Sequence, residues 1–374
     1  MENILFVSGT RPEIVKLAPV YHAMRAARWG RVCWLHTGQH DEIAQQILAC
    51  FDITPDISQR RHGSTLLEFS AGCRRELDAV MARQRWSVVV VQGDTESAFQ
   101  GALAGFYNRI PVAHVEAGLR TYNLERPFPE EGLRQMIGRL TRFHFAPTVR
   151  AQQALTAEGI AAKDIWITGN TAVDAQQWCC KHKGVRRRTE GHGHLIVTVH
   201  RRESWGKSVE EICLAVADIA ASHPELDVLF PVHPNPTVQR PVHFVLGACP
   251  NVQLVSPLDY LAMQQALADA WMVLTDSGGL QEEAPTFRVP LVVLREETER
   301  PEAVEAGCAV LVGTSRQAIV AQVERLWHDE HAYRRMQSPS NPFGDGAASQ
   351  RIIATIQHHF ASTTADLFVG ARGR

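Results

Sequence analysis

Nowhere in the 374-residue chain do two cysteines stand at a C-x-x-C spacing. Cys33, Cys50, Cys73, Cys179, Cys180, Cys213, Cys249 and Cys308 are scattered, with no zinc-ligand pattern among them. This argues against structural zinc or a disulfide framework and predicts reduced core thiols. A surplus of charge is also missing: 38 Lys and Arg stand against 40 Asp and Glu, a formal net charge of −2. Such a balance disfavours nucleic acid as a partner. No apolar run approaches the ~18 residues that span a bilayer, and MENILFVSGTRPE lacks the basic and apolar regions of a signal peptide. A cytoplasmic protein without a membrane partner is expected. Also absent are G-x-x-x-x-G-K-[ST] and G-x-G-x-x-G, so neither a P-loop nor a dinucleotide fingerprint is present. Neither a redox cofactor nor a metal is therefore expected; His114 and Glu116 alone have no ligand-set spacing.

What the chain does have is 45% hydrophobic residues and length for two domains at ~100–200 residues each. Strand-length apolar runs alternate with segments of helical period: ILFVS then PEIVKLAPVYHAMRAA, VCWLHT then DEIAQQILACF, SVVVVQ then ESAFQGALAGFY, and PVAHV before a loop. That rhythm predicts an α/β fold with a doubly wound parallel sheet. It breaks in the polar, basic stretch WCCKHKGVRRRTEGHGH and restarts at LIVTV, with later strands DVLFPV, VQLVS, WMVLT, LVVL and AVLVG. The expected boundaries are 1–170 for an N-terminal domain, 171–193 for a crossing, 194–345 for a C-terminal domain, and 346–374 for a last helix with a frayed tail beyond Ser362.

In open α/β sheets ligands bind beyond the carboxyl ends of the strands. Five loops at such ends carry polar or charged residues. In SGTRPEIVK, Gly9 allows a tight turn while Arg11 and Lys16 bring positive charge to a helix N-terminus that already attracts anions. The same residues also read as an ordinary turn and a solvated helix face. In LTDSGGLQEEA, Ser277, Gly278 and Gly279 offer bare amides to a diphosphate, and Glu283, one turn beyond Gly279, could accept ribose hydroxyls. The alternative has Asp276 or Ser277 as an N-cap, with Glu282 and Glu283 complementing the dipole. In TVHRRESWG, His200, Arg201 and Arg202 would repel one another unless an anion or a carboxylate such as Glu203 neutralised them. Finally, Asp94 and Glu116 lie just past neighbouring apolar runs, on the rim of one crevice. Asp94 could equally be a turn residue and Glu116 a partner of Arg120. Glu130 and Glu131 could simply complement a helix dipole, and His233 in PVHPNP could be a capped loop histidine.

Together GTRPEIVKLAP, TGQH, QGDT, RIPVAHVEAGLRT, PFPEEGLRQ, HFAPT, ITGNTAVDA, TVHRRES, PVHPNP, LTDSGGLQEEAP, ETERPEAVEAG and NPFGDG resemble, in this order over nearly the whole chain, the non-hydrolysing UDP-N-acetylglucosamine 2-epimerases. The resemblance implies two Rossmann-like domains of glycosyltransferase-B type, an active site in the interdomain cleft, and a last helix returning to the N-terminal domain. It implies reversible inversion at C2 of UDP-GlcNAc to UDP-ManNAc, through anti elimination of UDP to 2-acetamidoglucal and syn re-addition. By motif matching Asp94, Glu116, Glu130 and His200 fall on catalytic positions. Arg11, Lys16, Arg134, Arg201, His233, Ser277, Gly278, Gly279, Glu283 and Arg300 fall on positions for the UDP-sugar. A homodimer is expected on the same ground, as is a second UDP-GlcNAc acting as activator near Gln39 and His40.

The chain departs from that pattern at Leu133 before Arg134, at Glu96 after GDT, at Glu296 and Glu297 before TERPE, and at Glu42 and Gly63 near the activator positions. Substrate identity is therefore more open than reaction type: a diacetamido or uronate UDP-hexosamine is an alternative. A hydrolysing epimerase, a glycosyltransferase of the same fold and a UDP-sugar sensor are the other readings. Retention of all three carboxylates disfavours the sensor and the transferase.

Overall fold

The computed structural model describes residues 2–187, 193–201, 206–337 and 340–370, with no description of the side chains of 41–43 and 362–370. Arg202 and Glu203 lie outside the described residues, and so does 188–192 of the expected crossing. The chain divides into two compact units, Met1–Ala175 with Gly344–Arg374, and Gln176–Phe343.

The first unit holds strands β1 (Glu2–Ser8), β2 (Gly30–His36), β3 (Ile57–Ser58), β4 (Val88–Gln92), β5 (Val112–Val115), β6 (Phe143–Ala146) and β7 (Ile165–Ile167). They form one parallel sheet in the order β3-β2-β1-β4-β5-β6-β7. The second unit holds β8 (His194–Thr198), β9 (Val228–Pro231), β10 (Val252–Val255), β11 (Ala270–Thr275), β12 (Leu291–Val293) and β13 (Ala309–Leu311), ordered β10-β9-β8-β11-β12-β13. Central strands are buried on both faces, which is why ILFV and VVVV read as unbroken apolar runs. Helices cover each sheet. In the second unit Ile212, Val216 and Ile219 of helix Lys207–Ser222 pack with Ile319 and Val323 against Val197, Phe230 and Leu274.

These strand orders place the functional loops. Each sheet grows outward in both directions from one central pair, β1 and β4 in the first unit and β8 and β11 in the second. Helices after such a pair leave to opposite faces, so the loops diverge and open a crevice at the carboxyl edge. The loops after β1 and β4 carry Arg11 and Asp94; those after β8 and β11 carry His200 and the Ser277–Gly279 run.

Within the expected crossing, Thr171–His182 is a helix. The final helix runs from Ala348 to Gly370. Its start is fixed to the first unit by Asp174, whose carboxylate accepts the amides of Ala348 (3.3 Å) and Ser349 (2.8 Å). Trp29 meets Phe360 at 5.5 Å between ring centroids. Among the described residues no helix is long and apolar enough to cross a membrane.

Candidate functional site

In the first unit the register decides where the carboxylates stand. Gln92 pairs with Val115 across β4 and β5, and the Gly93 amide continues the ladder to the Val115 carbonyl at 3.1 Å. Asp94 and Glu116 therefore leave adjacent strands at nearly the same level. His114 Nε2 donates to the Gly93 carbonyl at 2.8 Å and steadies that turn; burial holds its pKa down at about 3, so the ring is neutral. Glu116 sits at φ +64°, a left-handed conformation unusual for a side chain with a Cβ. Such strain costs about 1–3 kcal/mol and persists where the surroundings over-determine it.

Each acid is matched with a cation. Glu116 pairs with Lys16, from the helix Arg11–Ala26, and not with Arg120, whose guanidinium instead grips Glu158 at 2.6 and 2.9 Å. Asp94 pairs with Arg134, itself buried. Arg134 also lies 3.4 Å from Glu131, a fully buried carboxylate that accepts the Thr121 and Tyr122 amides and the Gln135 carboxamide. Burial works to raise the pKa of Glu131, but those bonds and Arg134 outweigh it and hold the group below the usual carboxylate range. Of the two neighbouring acids, Glu131 is thus structural. Glu130, at the start of helix Glu130–Leu140, stands four residues before Arg134 and shares its face.

Gly9 is a glycine for lack of room. A Cβ there would come within 2.0 Å of Ser97 Oγ and 2.3 Å of Thr37 Oγ1. Around this point Ser97 Oγ donates to Gln39 Oε1 at 2.6 Å, Thr37 Oγ1 lies 2.7 Å from Ser97 Oγ, and the His40 amide donates to the Gly9 carbonyl at 2.9 Å. Gln39 and His40 are thereby packed beside the Arg11 and Asp94 loops. His40 is held below the usual histidine pKa by burial and then by Arg61. At Gly63, another position where the chain departs from the expected activator pattern, the backbone is left-handed (φ +70°), and a Cβ there would meet Glu68 Cβ at 2.3 Å.

In the second unit the organising group is Asp276, which sequence analysis read only as a cap. Fully buried at the end of β11, it accepts the amides of His200 (3.1 Å) and Arg201 (2.9 Å) and holds His200 Nδ1 at 2.9 Å. Burial opposes its charge, yet the His200 side chain and these amides keep its pKa below the usual range. With Nδ1 turned to Asp276, Nε2 becomes the outward edge of an imidazole whose side chain is 44% exposed. His233 accepts the Asn235 amide on Nδ1 at 3.2 Å, as a loop histidine would. Burial and then the charge of His200 lower its pKa, so it also lies near that ring.

Ser277 is the N-cap of the short helix Gly278–Glu283. An added Cβ on Gly278 would stand 3.4 Å from an Arg201 Nη and 3.6 Å from Arg300 Cζ, so two guanidinium groups flank that turn. Arg300 donates to Glu282 at 2.7 Å and to Glu299 at 3.1 Å, and Arg201 lies 3.8 Å from the same Glu299. Glu299, with Asp276, thus supplies part of the neutralisation assigned to Glu203. Glu283 is held by Gln264 at 2.7 Å, and Gln264 in turn by Gln176 at 2.7 Å. Asp276, Glu131 and Glu282, read in the sequence only as a cap and as dipole complements, are the residues whose part in the site was missed; only the position of Asp276 at a strand end could have singled it out.

The family model described as UDP-N-acetylglucosamine 2-epimerase matches residues 22–357. A protein of that name from Escherichia coli K12 is 42% identical over 371 residues, covering 96% of this chain and 99% of its own. Among solved structures, the UDP-GlcNAc 2-epimerase of Neisseria meningitidis bound to UDP-GlcNAc is 36% identical, with a TM-score of 0.87 over 95% of this chain and all of its own. That of Methanocaldococcus jannaschii, in complex with UDP-GlcNAc and UDP, is 29% identical, with a TM-score of 0.76 over 96% of this chain and 99% of its own. The chain therefore belongs to the UDP-N-acetylglucosamine 2-epimerase family, a family of isomerases.

Proposed function

We propose that this chain interconverts UDP-GlcNAc and UDP-ManNAc without hydrolysing them, and that the loop residues of the two units divide the work. The C2 hydrogen of the sugar is not beside a ring carbonyl, so no enolate can take up its electrons. Relief comes from breaking C1–O as C2–H breaks: a carboxylate takes the proton, a C1=C2 double bond forms, and UDP leaves with the electron pair of the C–O bond. Re-addition of the UDP oxygen to C1, with protonation at C2 from the other face, completes the inversion. Asp94, Glu116 and Glu130 would handle the proton, with Lys16 paired to Glu116 and Arg134 to Asp94. His200, Arg201 and Arg300 would meet the charge on the departing diphosphate, where a positioned donor contributes about 2.7–4 kcal/mol in comparable sites.

The observation that best supports the diphosphate assignment is the room around Gly279. Its nearest approach to an added Cβ is Ser277 Oγ at 3.9 Å, and neither Gly278 nor Gly279 adopts a left-handed φ. Among the described residues nothing demands glycine there, whereas an anion approaching the turn between Arg201 and Arg300 would. Glu283 and His233 would then serve the ribose side and the His200 side of the nucleotide.

The unmodified sugar is favoured by the fate of two departures from the family pattern. Glu96 is buried and accepts Gln100 Nε2 at 2.8 Å, and an added Cβ on Gly313 would fall 2.2 Å from Glu296 Oε1. Glu96 thus has a partner of its own within the protein, and Glu296 packs against Gly313. A homodimer, a cytoplasmic location and an activating second UDP-GlcNAc near Gln39 and His40 belong to the same reading. So does a place in bacterial surface-polysaccharide or related glycan synthesis. Incubating the purified protein with UDP-GlcNAc should yield an equilibrium mixture of two UDP-sugars by NMR. Free ManNAc with UDP would instead identify a hydrolysing enzyme, and unchanged substrate a different sugar or a sensor.

A further inference from the structure

One fully buried carboxylate ties together two loops of the first unit and is used by no step above. Glu13 Oε2 accepts the amides of Gly9 (3.0 Å) and Thr10 (2.7 Å), while Oε1 accepts the hydroxyl of Thr95 at 2.8 Å. Gly9 and Thr10 lead directly into Arg11; Thr95 follows Asp94. These are the loops after β1 and β4, the central strand pair whose helices leave to opposite faces. Thr95 is committed on its other side too, accepting the Ala98 amide at 3.0 Å as the cap of the helix Glu96–Tyr107.

A carboxylate in this position is costly. Burial pushes the pKa of Glu13 up to about 7 despite the bonds from Thr95, Thr10 and Gly9 that favour its charge. A glutamine would fill the same volume without a buried charge, and on stability alone would suit the site at least as well. What a glutamine cannot do is accept at both ends. With its oxygen on the Gly9 and Thr10 amides, its NH2 group faces Thr95 and turns the hydroxyl's hydrogen away.

We propose that Glu13 is a positioning residue of the epimerisation: its bridge to Thr95 sets Asp94 relative to Arg11, and so sets the proton-transfer group against the end of the sugar that loses UDP. This rests on the reading given under Proposed function. A displacement of about 1 Å in such a pair can cost on the order of 100-fold in rate.

The test compares Glu13→Gln, Thr95→Ser and Thr95→Val with the unaltered protein, following UDP-GlcNAc epimerisation, UDP binding by calorimetry and thermal unfolding. Glu13→Gln is expected to unfold at the same or a higher temperature, with kcat at least about tenfold lower and KM and the UDP Kd within about threefold. Thr95→Ser, which keeps the hydroxyl, should stay within about threefold of the unaltered kcat. Thr95→Val should lose as much as Glu13→Gln, and the double variant no more than the worse single one, because both break one link. A Glu13→Gln protein that turns over within about twofold of the unaltered one, or whose loss is confined to KM, overturns the assignment while leaving the function intact. If the unaltered protein does not epimerise UDP-GlcNAc, the functional reading itself fails and this assignment with it.

Discussion

Asp276 holds a histidine by its Nδ1 edge and two consecutive amides by its oxygens, all from the loop after β8. Removing its charge while keeping its volume should leave His200 free to rotate. Asp276→Asn is therefore expected to lower kcat by about 10- to 100-fold, the loss typical when the partner orienting a functional histidine is removed. UDP affinity, which the proposal assigns to Arg201 and Arg300, should change far less. Steady-state kinetics beside calorimetric UDP binding separates the two; equal losses in both would make Asp276 a general support of the loop. None of this was legible in the sequence. Asp276 and His200 stand 76 residues apart, as Lys16 and Glu116 stand 100 apart, and spacing along the chain says nothing about pairs joined only by the order of strands.

At the scale of the element, two glycines in strand-to-helix turns have opposite reasons to be glycine. Gly9→Ala would drive a Cβ into Ser97 and Thr37, and should cost about 1–3 kcal/mol as overpacking, visible as a lower unfolding temperature. Gly279→Ala meets, among the described residues, only Ser277 Oγ at 3.9 Å, an ordinary contact. It should leave the unfolding temperature unchanged and weaken UDP binding by about tenfold or more, roughly 1.4 kcal/mol. A destabilised Gly279→Ala protein with normal UDP affinity would remove the main support for a diphosphate at that turn. The sequence announced both turns, since each follows an apolar run and opens a helix. It could not tell them apart, because crowding comes from side chains brought in by other strands. Elements were legible in proportion to length: ILFV and VVVV were evident, whereas the three-residue β7 was not picked out. Helix Thr171–His182 was missed because its polar face and the basic residues after it looked like linker.

Across the whole molecule, buried titratable groups set the response to acid. Burial holds His114 at a pKa of about 3 and His144 at about 4, against 6.5 when unfolded. The unfolded chain therefore binds more protons below pH 6.5. Stability supplied by the neutral rings is present above that value and lost as pH falls towards their folded pKa values. Glu13 acts in the opposite sense: raised to about 7 from 4.5, it makes the fold less stable as pH rises through that window. The two histidine shifts together are larger, so net stability should fall between pH 6.5 and 4.5. In urea unfolding, His144→Phe should reduce that fall by about 2–3 kcal/mol, one pKa unit being worth 1.36 kcal/mol. An unchanged acid limb would mean that His144 is already protonated in the native protein.

That C2–H is broken by a carboxylate as UDP departs is tested most directly by running the reaction in D2O and reading C2 of both UDP-sugars by NMR. Deuterium should appear at C2 of UDP-ManNAc and of recovered UDP-GlcNAc as the two approach equilibrium. Interconversion with hydrogen retained at C2 of both sugars would contradict the account.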